Sequence, residues 1–194
     1  MTRMGLDRTA VVNEAAQLSD ECGLAAVTMA ALAKRLGIAL PSLYVHVRNL
    51  EHLRQQIAAL GSEELARYVG DAVQGRAGFD ALAAFATAYR AYALRYPGRY
   101  AASQMAPDLT DPRHAAATEQ AVRVTYATLR GYGLQEPEAT HAVRVLRSSL
   151  HGFVSLEREG GFAAPDSIDR SFQRLVEALD RAFSSWPTAD GASA

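Results

Sequence analysis

The sequence is poor in cysteine and lysine, with one of each among its 194 residues, Cys22 and Lys34. A single thiol cannot form a disulfide within the chain. No basic residue adjoins Cys22 in sequence, so we expect it to be buried as a small apolar side chain rather than to act as a reactive thiol. Arginine supplies the other basic residues, which we attribute mainly to codon bias, although arginine also suits phosphate recognition.

Long apolar runs are also missing. No segment approaches the ~20 apolar residues of a membrane span, and the first residues lack the apolar core of a signal peptide, so we expect a soluble, cytoplasmic protein with no membrane partner. Hydrophobic residues make up 49% and charged residues 21% of the chain, which is typical of a globular protein. The formal net charge of −1 argues against nonspecific coating of nucleic acid, so any contact with DNA must be local.

The motifs of common enzymes are absent. There is no Gly-x-Ser-x-Gly elbow, no phosphate-binding Gly-x-x-x-x-Gly-Lys-Ser/Thr, no His-Glu-x-x-His and no Cys-x-x-Cys. The histidines show no metal-ligand spacing, and His141 and His151 would lie about 15 Å apart along one helix. We therefore expect neither an enzyme nor a resident metal or cofactor.

Strand patterns are missing as well, because no alternating run rich in Val, Ile and Thr is bounded by hairpin turns. The apolar spacing is helical almost throughout and predicts an all-α fold of about nine helices. Capping residues predict several helix starts, at Asp7, Thr28, Asn49, Asp111 and Asp166. We expect a linker over about 70–78 and a frayed tail over 187–194.

Two short predicted helices near the N-terminus are joined by a glycine turn. The first starts after Thr28 and stops at Gly37, which can take the left-handed conformation of a tight turn. The second runs from about Leu40 to Val47 and is too short and too sparsely apolar to bury itself. It carries polar groups that can bond phosphates or bases, on Ser42, Tyr44 and His46. This pattern favours a DNA-binding helix-turn-helix over its alternative, an ordinary corner between two helices.

From Thr28 to Leu53 the sequence TMAALAKRLGIALPSLYVHVRNLEHL resembles the DNA-binding signature of the tetracycline-repressor (TetR) family. The likeness includes the Leu-Gly-Ile turn and the Leu-Tyr-x-His core. It implies that Leu43 and Val47 are core residues. It also implies DNA contacts to base edges or to the backbone at seven positions: Thr28, Leu40, Pro41, Ser42, Tyr44, His46 and Arg48.

Three positions depart from the usual pattern of that family. Ala39 stands where Ser or Thr is usual, so the third helix lacks its best N-cap, at a cost of about 0.5–2 kcal/mol. Val47 replaces a frequent aromatic residue. Leu50 replaces the usual lysine, which removes one phosphate contact, and we expect Arg48 to substitute for it.

Residues 79–183 resemble, less closely, the C-terminal domain of a TetR subfamily marked by Tyr-Pro-Gly-Arg-Tyr and a later His-Gly. The first motif stands at Tyr96–Tyr100 and the second at His151-Gly152, while Arg147 stands where that subfamily often has tryptophan. The resemblance implies a DNA-binding domain at 1–49 followed by a ligand-binding and dimerisation domain at 50–194.

The fifth predicted helix carries a tyrosine-rich face. Aromatic residues at helical spacing are usually core, but the chain has 8 Tyr against 6 Phe, and each buried phenol needs a hydrogen-bond partner. This favours a mostly apolar small-molecule site, with plain core packing as the alternative. The site is predicted at Phe85, Tyr89, Tyr92, Tyr100, Met105, Tyr126 and His151.

The last two predicted helices carry apolar stripes that are wider than one intramolecular partner requires. The TetR resemblance implies that two copies pair these helices in a four-helix bundle. The predicted dimer interface comprises Leu146, Leu150, Phe153, Phe172, Leu175 and Leu179.

The sequence thus predicts a homodimeric, ligand-responsive transcriptional repressor. Its expected partners are a near-palindromic operator in double-stranded DNA and a mostly apolar small-molecule effector that releases the operator. The alternative is a DNA-binding regulator or interaction module that has no small-molecule effector.

Overall fold

A computed structural model describes residues 7–186, and the regular structure in that range is helical. Two short 3₁₀ turns, Leu24–Ala26 and Arg130–Tyr132, accompany nine α-helices. The helices are α1 Arg8–Cys22, α2 Met29–Leu36, α3 Leu40–Leu43, α4 Leu50–Val73, α5 Gly78–Arg95, α6 Pro97–Ser103, α7 Pro112–Leu129, α8 Glu138–Arg158 and α9 Ile168–Ser184. The predicted all-α fold is confirmed.

Four of the predicted helix starts are confirmed by their hydrogen bonds. Asp7 accepts the N–H of Ala10 at 2.7 Å and begins α1, and the hydroxyl of Thr28 accepts an N–H at 3.1 Å and begins α2. Asn49 caps α4 through a 2.8 Å bond from the N–H of the residue three positions later, and Asp111 does the same for α7, at 2.8 Å, two positions later. Each cap satisfies an N–H group that has no partner within its own helix.

The predicted cap of the last helix is wrong by one residue. Ser167, rather than Asp166, takes the extended conformation before α9, and its hydroxyl accepts the N–H of Arg170 at 3.3 Å. Asp and Ser are similarly good N-caps, so the sequence alone does not show which of the two adjacent residues caps the helix.

The predicted linker is shorter than expected. Helix α4 passes through Gly70 and ends at Val73, and α5 begins at Gly78, so four residues, 74–77, connect them. A glycine inside a helix is less favourable than alanine by about 0.5–1 kcal/mol. This cost is small enough for α4 to continue through Gly70. The predicted tail, 187–194, lies outside the described residues.

The chain divides into two compact units. The first comprises the described residues up to Leu65 together with Arg95–Gln120, and the second comprises Ala66–Leu94 together with the described residues from Ala121 onward. The first unit thus contains the start of α4, α6 and the start of α7 in addition to α1, α2 and α3. Helices α1 to α3 therefore form part of a unit built from two separate stretches of sequence.

The core of the first unit joins α1, α2, α3 and the start of α4. Leu43 and Val47 are 0% and 1% exposed, as the sequence predicts. Cys22, in contrast, is exposed, so the prediction that it is buried was wrong. The buried residues of α1 end at Ser19, one turn before Cys22. The unit's core cluster contains Val11, Val12, Ala15, Ala16, Val27, Met29, Leu32, Ala33, Leu43, Val47, Leu53, Ile57, Ala58, Leu60 and Ala102.

In the second unit, α8 and α9 bury regular apolar stripes, and a largely buried ion pair joins α5 to α8. The guanidinium of Arg90 donates from Nε to Glu157 at 2.7 Å, lies 2.7 Å from the carboxylate of Asp169, and stacks over the ring of Phe172. The hydrogen bond that Arg90 donates to Glu157 raises the pKa of Arg90. The buried stripes are Ala139, Ala142, Leu146, Leu150 and Val154 on α8, and Phe172, Val176, Leu179 and Phe183 on α9.

No helix among residues 7–186 has both the length and the apolar character that crossing a membrane requires.

Candidate DNA-binding site

The turn between α2 and α3 has the geometry of a helix-turn-helix. Gly37 adopts φ 66° and ψ 31°, a left-handed conformation that ends α2, and its N–H donates to the carbonyl of Lys34 at 3.2 Å. A residue with a Cβ is strained in this conformation. Glycine therefore lets the chain reverse within the three residues that separate α2 from α3.

The stretch 40–48, which we call the reading segment, follows this turn. Its helical part, α3, spans only Leu40–Leu43, shorter than the predicted 40–47, and the chain continues as a hydrogen-bonded turn. Ala39 makes no side-chain cap, which accords with the predicted weakness of this helix start. Leu43 and Val47 fix the segment to the core of the first unit, so the residues between and before them face outward.

The residues predicted to contact DNA are accessible in this segment. Leu40 is 38% exposed and Tyr44 is 50% exposed. Of the other predicted contacts, His46 is half-buried, and the exposed ones are Thr28, Pro41, Ser42 and Arg48. Exposed apolar and aromatic side chains on a short, anchored segment form a surface that can contact base edges in the major groove of DNA.

Sequence reasoning missed Val45. This apolar side chain is 80% exposed, more than any other large hydrophobic residue described in the chain. The signal was available, because Val45 lies midway between the core residues Leu43 and Val47 and so must point away from the core. An apolar side chain in this position suits contact with the methyl group of a thymine.

Two contacts hold the reading segment from its flanks. Nε of Arg8, at the start of α1, donates to the backbone carbonyl of His46 at 3.2 Å. The N–H of Arg48 donates to Nδ1 of His52 at 3.3 Å. Burial lowers the pKa of His52, and the nearby positive charges of Arg48 and Arg8 lower it further. His52 is therefore neutral near pH 7, which leaves Nδ1 free to accept this bond.

The first unit contains a second predicted motif, Tyr96–Tyr100, at the start of α6. Oδ1 of Asp20, in the last turn of α1, accepts the N–H groups of Gly98 and Arg99, both at 2.9 Å. Nε of Arg99 lies 3.0 Å from Oδ2 of Asp20, and its Nη1 lies 3.1 Å from the carboxylate of Glu64 in α4. The motif therefore ties α6 to both α1 and α4.

Burial raises the pKa of Asp20 above its ordinary value of 3.8. The N–H groups and the charge of Arg99 act in the opposite direction, while the carboxylate of Glu64 adds to the increase. Gly98 explains how α6 comes so close, because a Cβ there would lie nearer than 3.0 Å to the backbone of Ser19. Gly98 is thus required for the close packing of α6 against Ser19, and Arg99 supplies the positive charge that pairs with Asp20 and Glu64.

The predicted ligand-binding residues are not gathered in one compact unit. Tyr100 and Met105 belong to the first unit and the other five to the second. Tyr92 and Tyr100 are each 1% exposed, which favours the alternative of core packing for these two, and their role in ligand binding stays a prediction. Phe85 and Tyr89, both 5% exposed, stack on each other with ring centres 6.3 Å apart.

Three predicted ligand-binding residues are half-buried, Met105, Tyr126 and His151. The phenol of Tyr126 shares a 2.6 Å hydrogen bond with the hydroxyl of Thr140 on α8. That hydroxyl in turn donates to Glu136 at 2.7 Å. Tyr126 is therefore the donor to Thr140, and its phenol oxygen can still accept a second hydrogen bond.

The residues of the predicted dimer interface differ in how deeply they are buried within one chain. Leu146 and Leu150 are 0% exposed within one chain, and Phe172 and Leu179 are 6% and 5% exposed. These four side chains already fill the core of the second unit, because the apolar stripes of α8 and α9 face inward. Phe153 and Leu175 are half-buried and can offer area to a second copy.

A family model described as "Tetracyclin repressor-like, C-terminal domain" matches residues 82–179. The chain is 39% identical over 165 residues to the uncharacterized HTH-type transcriptional regulator Rv0681 of Mycobacterium tuberculosis, covering 84% of this chain and 74% of the relative. This chain belongs to the tetracycline repressor-like (TetR) family. A second relative, the uncharacterized HTH-type transcriptional regulator YobS of Bacillus subtilis, is 34% identical over 86% of each chain.

Solved structures show the same TetR-like fold. A protein of unknown function from Rhodococcus sp. RHA1 superimposes with a TM-score of 0.76 at 19% identity, covering 94% of this chain and 98% of that one. A TetR variant from Acinetobacter baumannii AYE, solved in complex with minocycline, gives a TM-score of 0.67 at 26% identity, covering 92% and 96%. The TetR family member PfmR from Thermus thermophilus gives 0.64 at 20% identity, covering 88% and 97%.

Membership of the TetR family makes this chain a DNA-binding transcriptional regulator, in agreement with its relatives, which are HTH-type transcriptional regulators. Ligand binding and homodimer formation are typical of the family. The finer subfamily suggested by Tyr96–Tyr100 and His151-Gly152 stays a prediction.

Proposed function

We propose that this regulator is a repressor that binds a near-palindromic operator as a homodimer and is released by a mostly apolar small molecule. The observation that supports the DNA-binding part most directly is the reading segment itself. Leu43 and Val47 anchor it in the core, while Leu40 is exposed before them and Tyr44 and Val45 are exposed between them. A helix-turn-helix dimer places two such segments in successive major grooves about 34–36 Å apart.

In this proposal the exposed residues of the first unit divide into two classes. Leu40, Pro41, Ser42 and Val45 contact base edges, where apolar groups meet thymine methyls and the hydroxyl bonds either base type. The backbone is held by Tyr44, His46, Arg48 and Thr28. Backbone contacts strengthen binding to every sequence, whereas base contacts discriminate among sequences.

Selection of duplexes from a random library tests the DNA-binding part. Wild-type protein should enrich a motif with two-fold symmetry. Tyr44→Phe should weaken binding to all duplexes alike, and Val45→Ala should change the preference at one base pair by about 1–3 kcal/mol. Leu109→Ala is the matched control, because Leu109 is exposed to 64% in the same unit but outside the reading segment. Enrichment of no symmetric motif would refute the proposal.

The dimer is proposed to form through the outer faces of α8 and α9. Phe153 and Leu175 are half-buried on these helices, and Leu156 on α8 is 49% exposed. Introducing Leu175→Asp would bury an unpaired charge in the interface and split the dimer, while the helical content of the chain is retained. Sedimentation velocity at micromolar concentration measures this, with Val122→Asp, at an exposed position on α7, as the control. A Leu175→Asp protein that stays dimeric places the interface elsewhere.

The effector is proposed to bind among the half-buried polar groups of the second unit, near Tyr126 and His151. The minocycline complex of the TetR variant makes minocycline a reasonable first probe, followed by other ring and acyl compounds. Calorimetry should then give different dissociation constants with and without the selected duplex. Linkage requires the two ligands to weaken each other equally, by about 5-fold to 150-fold. Equal dissociation constants in the two experiments would exclude release by that compound.

The second candidate is a DNA-binding regulator that has no effector. Two observations favour it, namely the full burial of Tyr92 and Tyr100 and the division of the predicted ligand residues between two units. A thermal-shift screen separates the candidates. A ligand-responsive protein melts at a higher temperature with some compound of the screen, and a protein without an effector melts at the same temperature with all of them.

A further inference from the structure

The TetR-like regulator carries an unfavourable residue at the end of α1. Asp20 lies in the last turn of this helix, where the helix dipole disfavours a carboxylate, and no basic residue lies in that turn. A residue that breaks a local rule is expected where a specific interaction compensates for it. Here the compensation comes from α6, which supplies two N–H groups and the guanidinium of Arg99.

This contact is tight as well as charged. The side chains of Asp20 and Arg99 are 15% and 14% exposed. Gly98 lies so close to Ser19 that no other side chain fits without movement of the backbone, and Ser19 is fully buried. The end of α1 therefore cannot slide past α6 without breaking the ion pair and both hydrogen bonds.

The opposite end of α1 touches the reading segment. Arg8, the first residue of the helix, donates to the carbonyl of His46 at 3.2 Å. Asp20 lies twelve positions after Arg8, a distance of about 18 Å along the helix axis. One helix thus contacts the Tyr96–Tyr100 motif at one end and the DNA-reading residues at the other.

We propose that α1 acts as a lever, in which Asp20 and Arg99 are positioning residues that set the reading segment through Arg8 and His46. A shift of α6 then changes how well the segment fits a groove. This proposal rests on the proposed role of residues 40–48 in DNA binding, but the mechanical part concerns the first unit alone. It assigns a regulatory function to the Tyr-Pro-Gly-Arg-Tyr motif, beyond stability.

Amide hydrogen exchange on the full chain tests the mechanical part without DNA. The N–H groups of His46 and Val47 both bond the carbonyl of Leu43, at 3.0 and 3.2 Å, and report on the segment. Asp20→Ala should accelerate their exchange by about 5-fold or more, the lower end of typical coupling between sites. Glu63→Gln is the control, because it removes an exposed ion pair of the same unit that is not part of the lever.

If α1 couples its two ends, loss of the contact at either end must affect the same hydrogen bonds in the reading segment. Arg8→Gln should accelerate exchange at His46 and Val47 as much as Asp20→Ala does, and the double variant should add nothing further. A merely structural role for Asp20 would give additive effects. Arg99→Gln provides the same comparison from the α6 side, should Asp20→Ala not fold as judged by circular dichroism.

Binding to the selected duplex completes the test. Asp20→Ala should raise the dissociation constant about 5-fold or more while Glu63→Gln leaves it unchanged. Faster exchange confined to Gly98 and Arg99, with His46 and Val47 unaltered, overturns the lever. If wild-type protein selects no duplex, the proposed DNA-reading role fails, and the exchange results still decide whether α1 couples its two ends.

Discussion

Replacing Gly98 with alanine tests how closely α6 lies against α1 in this TetR-like protein. The new Cβ would come nearer than 3.0 Å to the carbonyl carbon, the carbonyl oxygen and Oγ of Ser19. Because Ser19 is fully buried and two of these atoms are backbone, they cannot yield. Helix α6 must instead move away until the gap reaches an ordinary contact distance of 3.4–4 Å.

The cost of this movement has two parts. Overpacking of this kind costs about 1–3 kcal/mol. Movement of α6 also stretches the two 2.9 Å bonds to the carboxylate of Asp20, a loss comparable to that of a helix cap, about 0.5–2 kcal/mol. We expect a total of about 2–4 kcal/mol, which lowers the Tm by about 4–16 °C in a chain of this size.

Thermal unfolding followed by far-ultraviolet circular dichroism measures the effect. The matched control is Gly70→Ala, whose Cβ would lie 3.5 Å from the side chain of Val124, an ordinary contact. Since Gly70 lies inside α4, alanine there should stabilise the protein by about 0.5–1 kcal/mol. A Gly98→Ala protein that melts at or above the wild-type temperature, with Gly70→Ala behaving as expected, would refute the close docking of α6.

Three further predictions follow from single contacts. Burial lowers the pKa of His114, whose Nδ1 accepts the N–H of Asp108 at 3.2 Å and which faces the carboxylates of Asp108 and Asp111. In the unfolded chain His114 takes up a proton near pH 6.5, whereas in the folded chain it does so only at lower pH, so the free energy of unfolding should fall as the pH drops below 6.5. Urea unfolding measures this dependence, and His114→Asn should flatten it. The same pH dependence in wild type and variant would contradict the prediction. Arg90→Met should cost about 3–5 kcal/mol in urea unfolding, because it leaves the carboxylate of Glu157 largely buried without a partner. The double variant with Glu157→Leu should recover most of that loss, and failure to recover it would show that packing rather than charge is responsible. Thr28→Ala should lower the free energy of unfolding by about 0.5–2 kcal/mol, and with it the Tm, because the hydroxyl that caps α2 is lost. Thr28→Ser retains the hydroxyl and should melt like the wild type. Equal Tm values for the two variants would argue against the cap.

Local chemistry made most of the fold predictable from the sequence. Caps and glycine stops depend on a few adjacent residues, so Asp7, Thr28, Gly37 and Asn49 were identified correctly. The error at Asp166 arose because two good capping residues stand side by side. The length of α3 was overestimated because helical spacing continues to Val47, although the backbone after Leu43 forms a turn that keeps Val47 in the core.

The burial predictions failed where they depended on contacts distant in sequence. Cys22 fits the apolar stripe of α1, but α6 docks against the neighbouring face at Ser19, and Cys22 is left exposed. The width of the α8 stripe also did not reveal that Leu146 and Leu150 are fully buried within one chain. The roles of Asp20 and Arg99 were likewise invisible, since 79 positions separate the two residues.

Because the first unit is built from two separate stretches of sequence, it cannot be exchanged between regulators as one continuous segment without also carrying the residues between them. A chimera that exchanges the N-terminal helices up to residue 49 or Leu65 separates α1 from the residues Arg95–Gln120 that complete its unit. Grafted DNA specificity therefore requires compatible partners for Asp20 and Ser19 on the recipient's α6. Crossover points chosen to carry both stretches together should give folded hybrids far more often than a single breakpoint after the helix-turn-helix, and the same constraint acts on natural exchange of segments between relatives.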